Sequence, residues 1–200
     1  LFEKNFNSAN VEQHYSGPAL DVFVGDSHTI LKTKKGYLSK GQNYYGQTAR
    51  LQEDDENNEF KEAIYLKSLN IEEISVGGWH NYAKLTNGTF VGWGYDYGRL
   101  GGGTTNTHAI KPVPLKHHLL GMTKLVCGGW HTMGVTSSGR MYIWGIDADG
   151  SLGQNQVNVT LNEPTLLLDN IRMVFSGKRQ LASFAVRNDG EVLAWGKNNR

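Results

Sequence analysis

The sequence predicts an all-β chain, a partial β-propeller of about four antiparallel blades with a period near 51 residues. Three observations predict it. The same sequence marks recur in one order along the chain, they keep a nearly constant spacing, and the intervals between them read as short strands joined by tight turns.

The first mark occurs as Val24-Gly25-Asp26-Ser27-His28, Val76-Gly77-Gly78-Trp79-His80, Cys127-Gly128-Gly129-Trp130-His131 and Ser176-Gly177-Lys178-Arg179-Gln180. Its leading glycines lie 52, 51 and 49 residues apart. Next comes Xaa-Gly, as Lys35-Gly36, Asn87-Gly88, Ser138-Gly139 and Asp189-Gly190. Trp-Gly follows at Trp93-Gly94, Trp144-Gly145 and Trp195-Gly196, with Lys40-Gly41 in the first copy. Gly98-Arg99-Leu100-Gly101 and Gly150-Ser151-Leu152-Gly153 close the motif, and Gly46-Gln47 is a partial version.

Each mark has a physical reading. Asn-Gly and Asp-Gly between apolar runs predict two-residue hairpins, in which both turn residues take positive φ. The runs Asn81 to Thr86 and Thr89 to Trp93 flank one such turn, and Met141 to Trp144 and Glu191 to Trp195 repeat the second strand. A further strand is expected before each leading glycine, at Ile71 to Val76, Lys124 to Cys127 and Ile171 to Ser176. A fourth is expected around Lys111 to Leu115 and Glu163 to Leu167, where Pro112, Pro114 and Pro164 suit an edge. Glu59 to Leu69 has Phe60 and Ile64 at helical spacing, but repeat register favours the edge strand there. A single small sheet leaves an apolar face wet, and stacking copies radially buries it.

The expected organisation is a lead-in or the end of a preceding blade over 1–21, a degenerate repeat over 22–70, repeats over 71–121 and 122–170, and a truncated repeat over 171–200. The first and last copies depart from the pattern, so they are expected to pack less regularly or beside something different. Lys40 replaces a tryptophan, Thr48-Ala49 replaces Leu-Gly, and Lys178-Arg179-Gln180 replaces Gly-Trp-His.

Hydrophobic residues make up 38%, charged residues 20%, and the net charge is +1, which gives no electrostatic reason to expect a nucleic-acid partner. No apolar run is long enough for membrane insertion, and the start of the chain does not read as a signal peptide. The lone cysteine, Cys127, has no disulfide partner within the chain and reads as a small buried apolar residue. An intracellular setting, compartment unspecified, is therefore expected.

Gly-Gly-Trp-His, Xaa-Gly, Trp-Gly and Gly-x-Leu-Gly at this period resemble the repeat of the regulator of chromosome condensation family. The resemblance covers nearly the whole chain after Val22 and is strongest in the two copies that begin at Ile71 and Met122. It implies a propeller, usually of seven blades. Seven blades of this period need about 360 residues. The chain has 200, so it is expected to be part of a longer protein or assembly.

No catalytic motif emerges. The glycine-rich stretches lack the following helix that a phosphate loop needs, and no nucleophile elbow or zinc template occurs. His28, His80 and His131 stand at equivalent positions and read as internal hydrogen-bonding residues rather than metal ligands, because equivalent positions in neighbouring blades lie far apart. His117-His118 reads as an inert loop pair, and the glycosylation-type sequences Asn87-Gly88-Thr89 and Asn158-Val159-Thr160 matter only in a secreted protein. No cofactor is implied. Candidate partner contacts are the acidic tract Glu53, Asp54, Asp55 and Glu56, the cation pair Lys178 and Arg179, and the loops over 104–118 and 154–162.

The functional expectation is a non-catalytic scaffold that binds protein partners. The alternative, which the resemblance implies, is guanine-nucleotide exchange on a small GTPase through a wedge inserted between strands. The even spacing leaves no room for such an insertion in these copies.

Overall fold

Alternating apolar residues between glycine turns form fifteen strands among the described residues of a computed structural model, which describes 15–51, 57–102, 108–115, 121–155, 158–177 and 182–197. They build four antiparallel sheets in chain order. The first comprises β1 (Ala19–Val24), β2 (His28–Thr33), β3 (Gly36–Gly41) and β4 (Asn57–Glu62). The second comprises β5 (Ile71–Val76), β6 (His80–Leu85), β7 (Phe90–Tyr95) and β8 (His108–Pro114). The third comprises β9 (Met122–Cys127), β10 (His131–Thr136), β11 (Met141–Ile146) and β12 (Thr160–Leu168). The fourth holds β13 (Ile171–Ser176), β14 (Ala182–Arg187) and β15 (Val192–Gly196). These are four blades of a β-propeller.

First strands of successive blades approach one another across each boundary and so lie nearest the axis. The fourth strands are edges, and β8 and β12 carry the prolines there, where a missing N–H costs no ladder bond. The segment with helical spacing is β4 followed by a single 3-10 turn, Ile64–Leu66.

Register explains the spacing of the marks. His80 pairs with Gly94, His131 with Gly145, and His28 with Gly41. At Gly94, φ is +102°, and a Cβ would stand 2.5 Å from the Trp79 carbonyl oxygen, so glycine is required opposite the histidine.

The hairpin turns differ from the two-residue turns that the sequence predicts. In the last three blades the N–H of Gly88, Gly139 and Gly190 donates to the carbonyl of Leu85, Thr136 and Arg187. Those three residues in turn donate to Thr89, Arg140 and Glu191. Only the glycine of each pair takes positive φ. These are three-residue loops ending in a left-handed glycine that bulges the strand, a geometry that also suits the right-handed twist.

Three apolar clusters fill the three spaces between blades. Ile30, Leu66, Ile74, Val91 and Trp93 join the first two blades. Tyr82, Phe90, Leu100, Leu125, Cys127 and Trp144 join the next pair, and Met133, Ile143, Leu152, Ile171 and Val174 the last. At the two ends of the array the same faces are exposed, with Leu20, Val22 and Val24 on one side and Phe175, Phe184 and Val192 on the other.

A repeated hydrogen-bonded junction fixes the orientation of each blade. Trp93, Trp144 and Trp195 donate their indole N–H to the backbone carbonyls of Gln47, Arg99 and Ser151, each in the closing turn of the preceding blade. Asn81, Thr132 and Ser183 donate to those same carbonyls. Because these three side chains donate there, their oxygens accept from the Nε2–H of His28, His80 and His131, at 2.6, 2.8 and 2.8 Å. The histidines are thus internal hydrogen-bonding residues.

The degenerate first copy keeps this architecture, contrary to the less regular packing expected from its sequence. Thr48 N–H donates to Asn43 Oδ1, as Leu100 and Leu152 donate to the carboxylates of Asp96 and Asp147. Ala49 takes φ +53° where Gly101 and Gly153 take +62° and +64°. Asn43 replaces the aspartate with the same acceptor atom, so the turn survives the loss of its consensus residues.

Candidate functional site

Each complete repeat places its two tryptophans differently. The tryptophan of Trp-Gly points between blades, and Trp93 and Trp144 are fully buried. The tryptophan of Gly-Gly-Trp-His sits in the turn between first and second strands. There Trp130 is 37% exposed, and Trp79 is partly covered. Both of these turns open on the end of the propeller that also carries the connections between third and fourth strands.

An aromatic cluster covers this rim across three blades. Tyr45, from the β3–β4 connection, stacks on Tyr95 at the end of β7, with centroids 4.2 Å apart and planes at 28°. Trp79 lies 5.6 Å from Tyr45 and 6.4 Å from both Tyr95 and Trp130. Tyr44 and Tyr97 extend the surface outward, at 4.9 Å from Tyr45 and 6.0 Å from Tyr95. Gly78 and Gly129 allow the approach of the two tryptophan turns, since a Cβ on Gly78 would stand 2.6 Å from the Gly129 carbonyl oxygen.

Arg99 stands beneath these rings. Its guanidinium carbon lies 4.3 Å from the centroid of Tyr95 and 4.7 Å from that of Trp130, within the range of cation–π attraction. The residue is 0% exposed. Burial pushes its ionisation down to about 10, opposed by neighbouring Tyr95, Asp96 and Tyr45. Nη1 donates to the Asp96 carbonyl, whereas Nε and Nη2 have no hydrogen-bond partner. The equivalent Ser151 instead turns its hydroxyl inward to the Asp147 carboxylate. Ser151 closes its own turn; Arg99 reaches the rim.

Glu53, Asp54, Asp55, Glu56, Lys178 and Arg179 lie outside the described residues, as do 104–107, 116–118 and 156–157 of the two candidate loops. Cys127 is buried, with its thiol on the Ser75 carbonyl at 3.3 Å. Among the described residues, no three His, Cys, Asp or Glu side chains gather to hold a metal ion, and no helix is long and apolar enough to cross a membrane. The aromatic rim was not singled out from sequence, although Tyr44, Tyr45, Trp79, Tyr95, Tyr97 and Trp130 all fall in or beside turns at one end of the blades.

Comparison with known proteins places the repeat. Residues 122–154 match the Regulator of chromosome condensation (RCC1) repeat. The chain is 29% identical to the Arabidopsis thaliana Ultraviolet-B receptor UVR8 over 88% of its own length and 41% of the receptor's. It is 26% identical to the human Probable E3 ubiquitin-protein ligase HERC3 over 88% of its length and 17% of the ligase. The chain thus spans less than half of these curated relatives. The fold matches human WBSCR16 with a TM-score of 0.71 and 19% identity, over 89% of this chain and 47% of that one. It matches Prp20p from Saccharomyces cerevisiae with a TM-score of 0.71 and 17% identity, over 94% and 47%. Residues 122–154 are a repeat of the regulator of chromosome condensation family, and the flanking copies share its marks and spacing.

Proposed function

We propose that this chain is a non-catalytic module that binds protein partners through the aromatic rim. The observation that carries this reading is the aromatic cluster of Tyr44, Tyr45, Trp79, Tyr95, Tyr97 and Trp130 drawn from three blades, with Tyr44, Tyr97 and Trp130 exposed. Tyrosine and tryptophan offer large amphipathic contact area at low entropic cost, and they dominate the binding energy of protein interfaces. The buried polar groups at the blade junctions are already committed to structure, which supports a surface role over chemistry. The lone buried Cys127 supports an intracellular setting.

Replacing Tyr45 and Trp79 with alanine in the full-length protein should weaken captured partners by about tenfold or more while the blades stay folded. Equal capture by the variant would overturn the reading. Exchanging Glu53, Asp54, Asp55 and Glu56 for alanine tests the acidic tract in the same assay.

Guanine-nucleotide exchange is the second reading. It is favoured by Prp20p, whose structure was described together with its binding properties to Gsp1p and histones. The periods of 49 to 52 residues leave no interval long enough for a wedge within this chain. Accelerated nucleotide release from a small GTPase by the full-length protein would establish exchange and displace the first reading.

A further inference from the structure

We propose that the rim receives an acidic peptide side chain, an aspartate or glutamate, on the Nε–Nη2 edge of Arg99. This inference rests on the rim being the partner-binding surface and names the chemistry of the partner.

The unpartnered donors of Arg99 are Nε and Nη2, while Nη1 is used by the Asp96 carbonyl. Nε and Nη2 share one edge of the guanidinium plane, and their two N–H bonds run parallel. That edge is the fork that a carboxylate fills with two parallel hydrogen bonds. A buried cation with two donors unmet is costly, and ring faces offer attraction without accepting both hydrogens along their axes. A bound carboxylate satisfies both.

Charge selects the carboxylate over a phosphate group. Among the described residues, Arg99 is the one arginine or lysine packed on Tyr95 or Trp130. Asp96 already supplies one negative charge beside the guanidinium, so a singly charged carboxylate is repelled less there than a phosphate ester, which carries nearly twice that charge at neutral pH. The rings beside the fork add apolar area for the residues that flank the acid. Access requires one ring to move, and Trp130 is the more exposed of the two that touch the guanidinium. Arg99 itself can be changed without removing the carbonyl that Trp144, Tyr82 and Thr132 use, because that group belongs to the backbone.

Selection from a random peptide library on the full-length protein tests the proposal, with tryptophan fluorescence as a second readout. The enriched peptides should contain aspartate or glutamate beside an aromatic or proline residue, and binding should shift the fluorescence. Changing the acid to its amide, or Arg99→Met, should weaken binding by about tenfold or more. Arg99→Lys should fall between, because it keeps the charge and loses the fork. If Arg99→Met lowers the melting temperature, Arg99→Lys and the amide peptides on the unchanged protein still decide. Enrichment of neutral peptides, a preference for phosphoserine peptides, equal binding by Arg99→Met, association only with a second copy, or no enrichment would each overturn the proposal. Binding lost in Trp79→Ala but kept in Arg99→Met would remove the carboxylate and leave the interaction reading standing.

Discussion

The Nε2 of His80 lies 2.8 Å from the Oγ1 of Thr132, the second residue of β10 in the next blade. Thr132 passes the contact on to the Arg99 carbonyl at 3.0 Å, and Trp144 reaches that same carbonyl at 2.8 Å. The equivalent histidines, His28 and His131, make the same approach to Asn81 and Ser183. Three different side chains, amide and hydroxyl, fill one role because each presents an accepting oxygen and a donor. A histidine with its Nε2 protonated, a tryptophan and one carbonyl therefore latch every blade to the next. This is a reason for the narrow spread of the repeat period: an added residue between these groups would shift all of the contacts.

Replacing Thr132 with valine keeps the side-chain shape and removes the hydroxyl. The His80 Nε2–H then loses its buried acceptor, and the Arg99 carbonyl loses one of three donors. A buried donor left unmet costs about 1–3 kcal/mol. Thr132→Val should lower stability by about 2 kcal/mol in urea unfolding, whereas Thr132→Ser should cost about half of that or less. Equal losses in the two variants would assign the effect to the methyl group instead.

The tryptophans of Trp-Gly give a graded test. Trp144 is fully buried and its N–H meets both the Arg99 carbonyl and the Tyr82 hydroxyl. Trp195 makes the same bond to Ser151, at 2.9 Å, but is only partly covered because it stands near the exposed face of the last blade. Phenylalanine removes the donor and part of the ring in each case. Trp144→Phe should cost about 2–4 kcal/mol, and Trp195→Phe about half as much. Thermal or urea unfolding of both variants reads the difference, and a reversed order would contradict the junction as described.

The blades were legible because each mark in the sequence answers a local demand that recurs. Gly94 needs positive φ opposite His80, the prolines need an unpaired edge, and the tryptophans need an acceptor at one period's distance. The shape of the hairpins was less legible: Asn87-Gly88 fits either a two-residue turn or a longer one, and the register of β6 and β7 decides. The regular first copy was hidden because Asn43 and Ala49 do by atom geometry what aspartate and glycine do elsewhere. The rim was hidden for a different reason. Tyr45, Tyr95 and Trp130 come from three blades, and nothing in the linear order shows that they meet. The one signal was Arg99 itself, a long cation at a position that Ser151 fills in the next copy.

Glycine substitutions separate the demands of packing from those of turn conformation. Gly94 combines φ +102° with a Cβ site 2.5 Å from the Trp79 carbonyl oxygen and 2.9 Å from the His80 Cα. Gly88 takes φ +84° in open space. Gly88→Ala should therefore cost only the left-handed strain of about 1 kcal/mol. Gly94→Ala must also push two strands apart and should cost about 3 kcal/mol or more, as for other overpacked buried sites. Equilibrium unfolding of the two variants checks the ranking, and similar costs would show that the backbone contact relaxes without penalty.

Tyr82 makes stability depend on alkaline pH. Burial holds its phenol ionisation well above the ordinary value of 10.0, with smaller contributions from neighbouring groups. The unfolded chain therefore loses this proton first, and above pH 10 the native state binds more protons. Stability from this group is complete below that value and declines as pH rises, at up to about 1.4 kcal/mol per pH unit. Arg99 acts in the opposite sense, because its ionisation is pushed down and the native state sheds that proton sooner. That contribution is present with or without the Tyr82 hydroxyl. Tyr82→Phe should cost about 1–2 kcal/mol near neutrality, where it deprives the Arg99 carbonyl of a 2.8 Å hydrogen bond. Its deficit relative to the unchanged protein should then shrink as pH rises through 10. Urea unfolding between about pH 8 and pH 11 measures both curves, and curves that stay parallel across that range would show that Tyr82 ionises in the native state as it does in water.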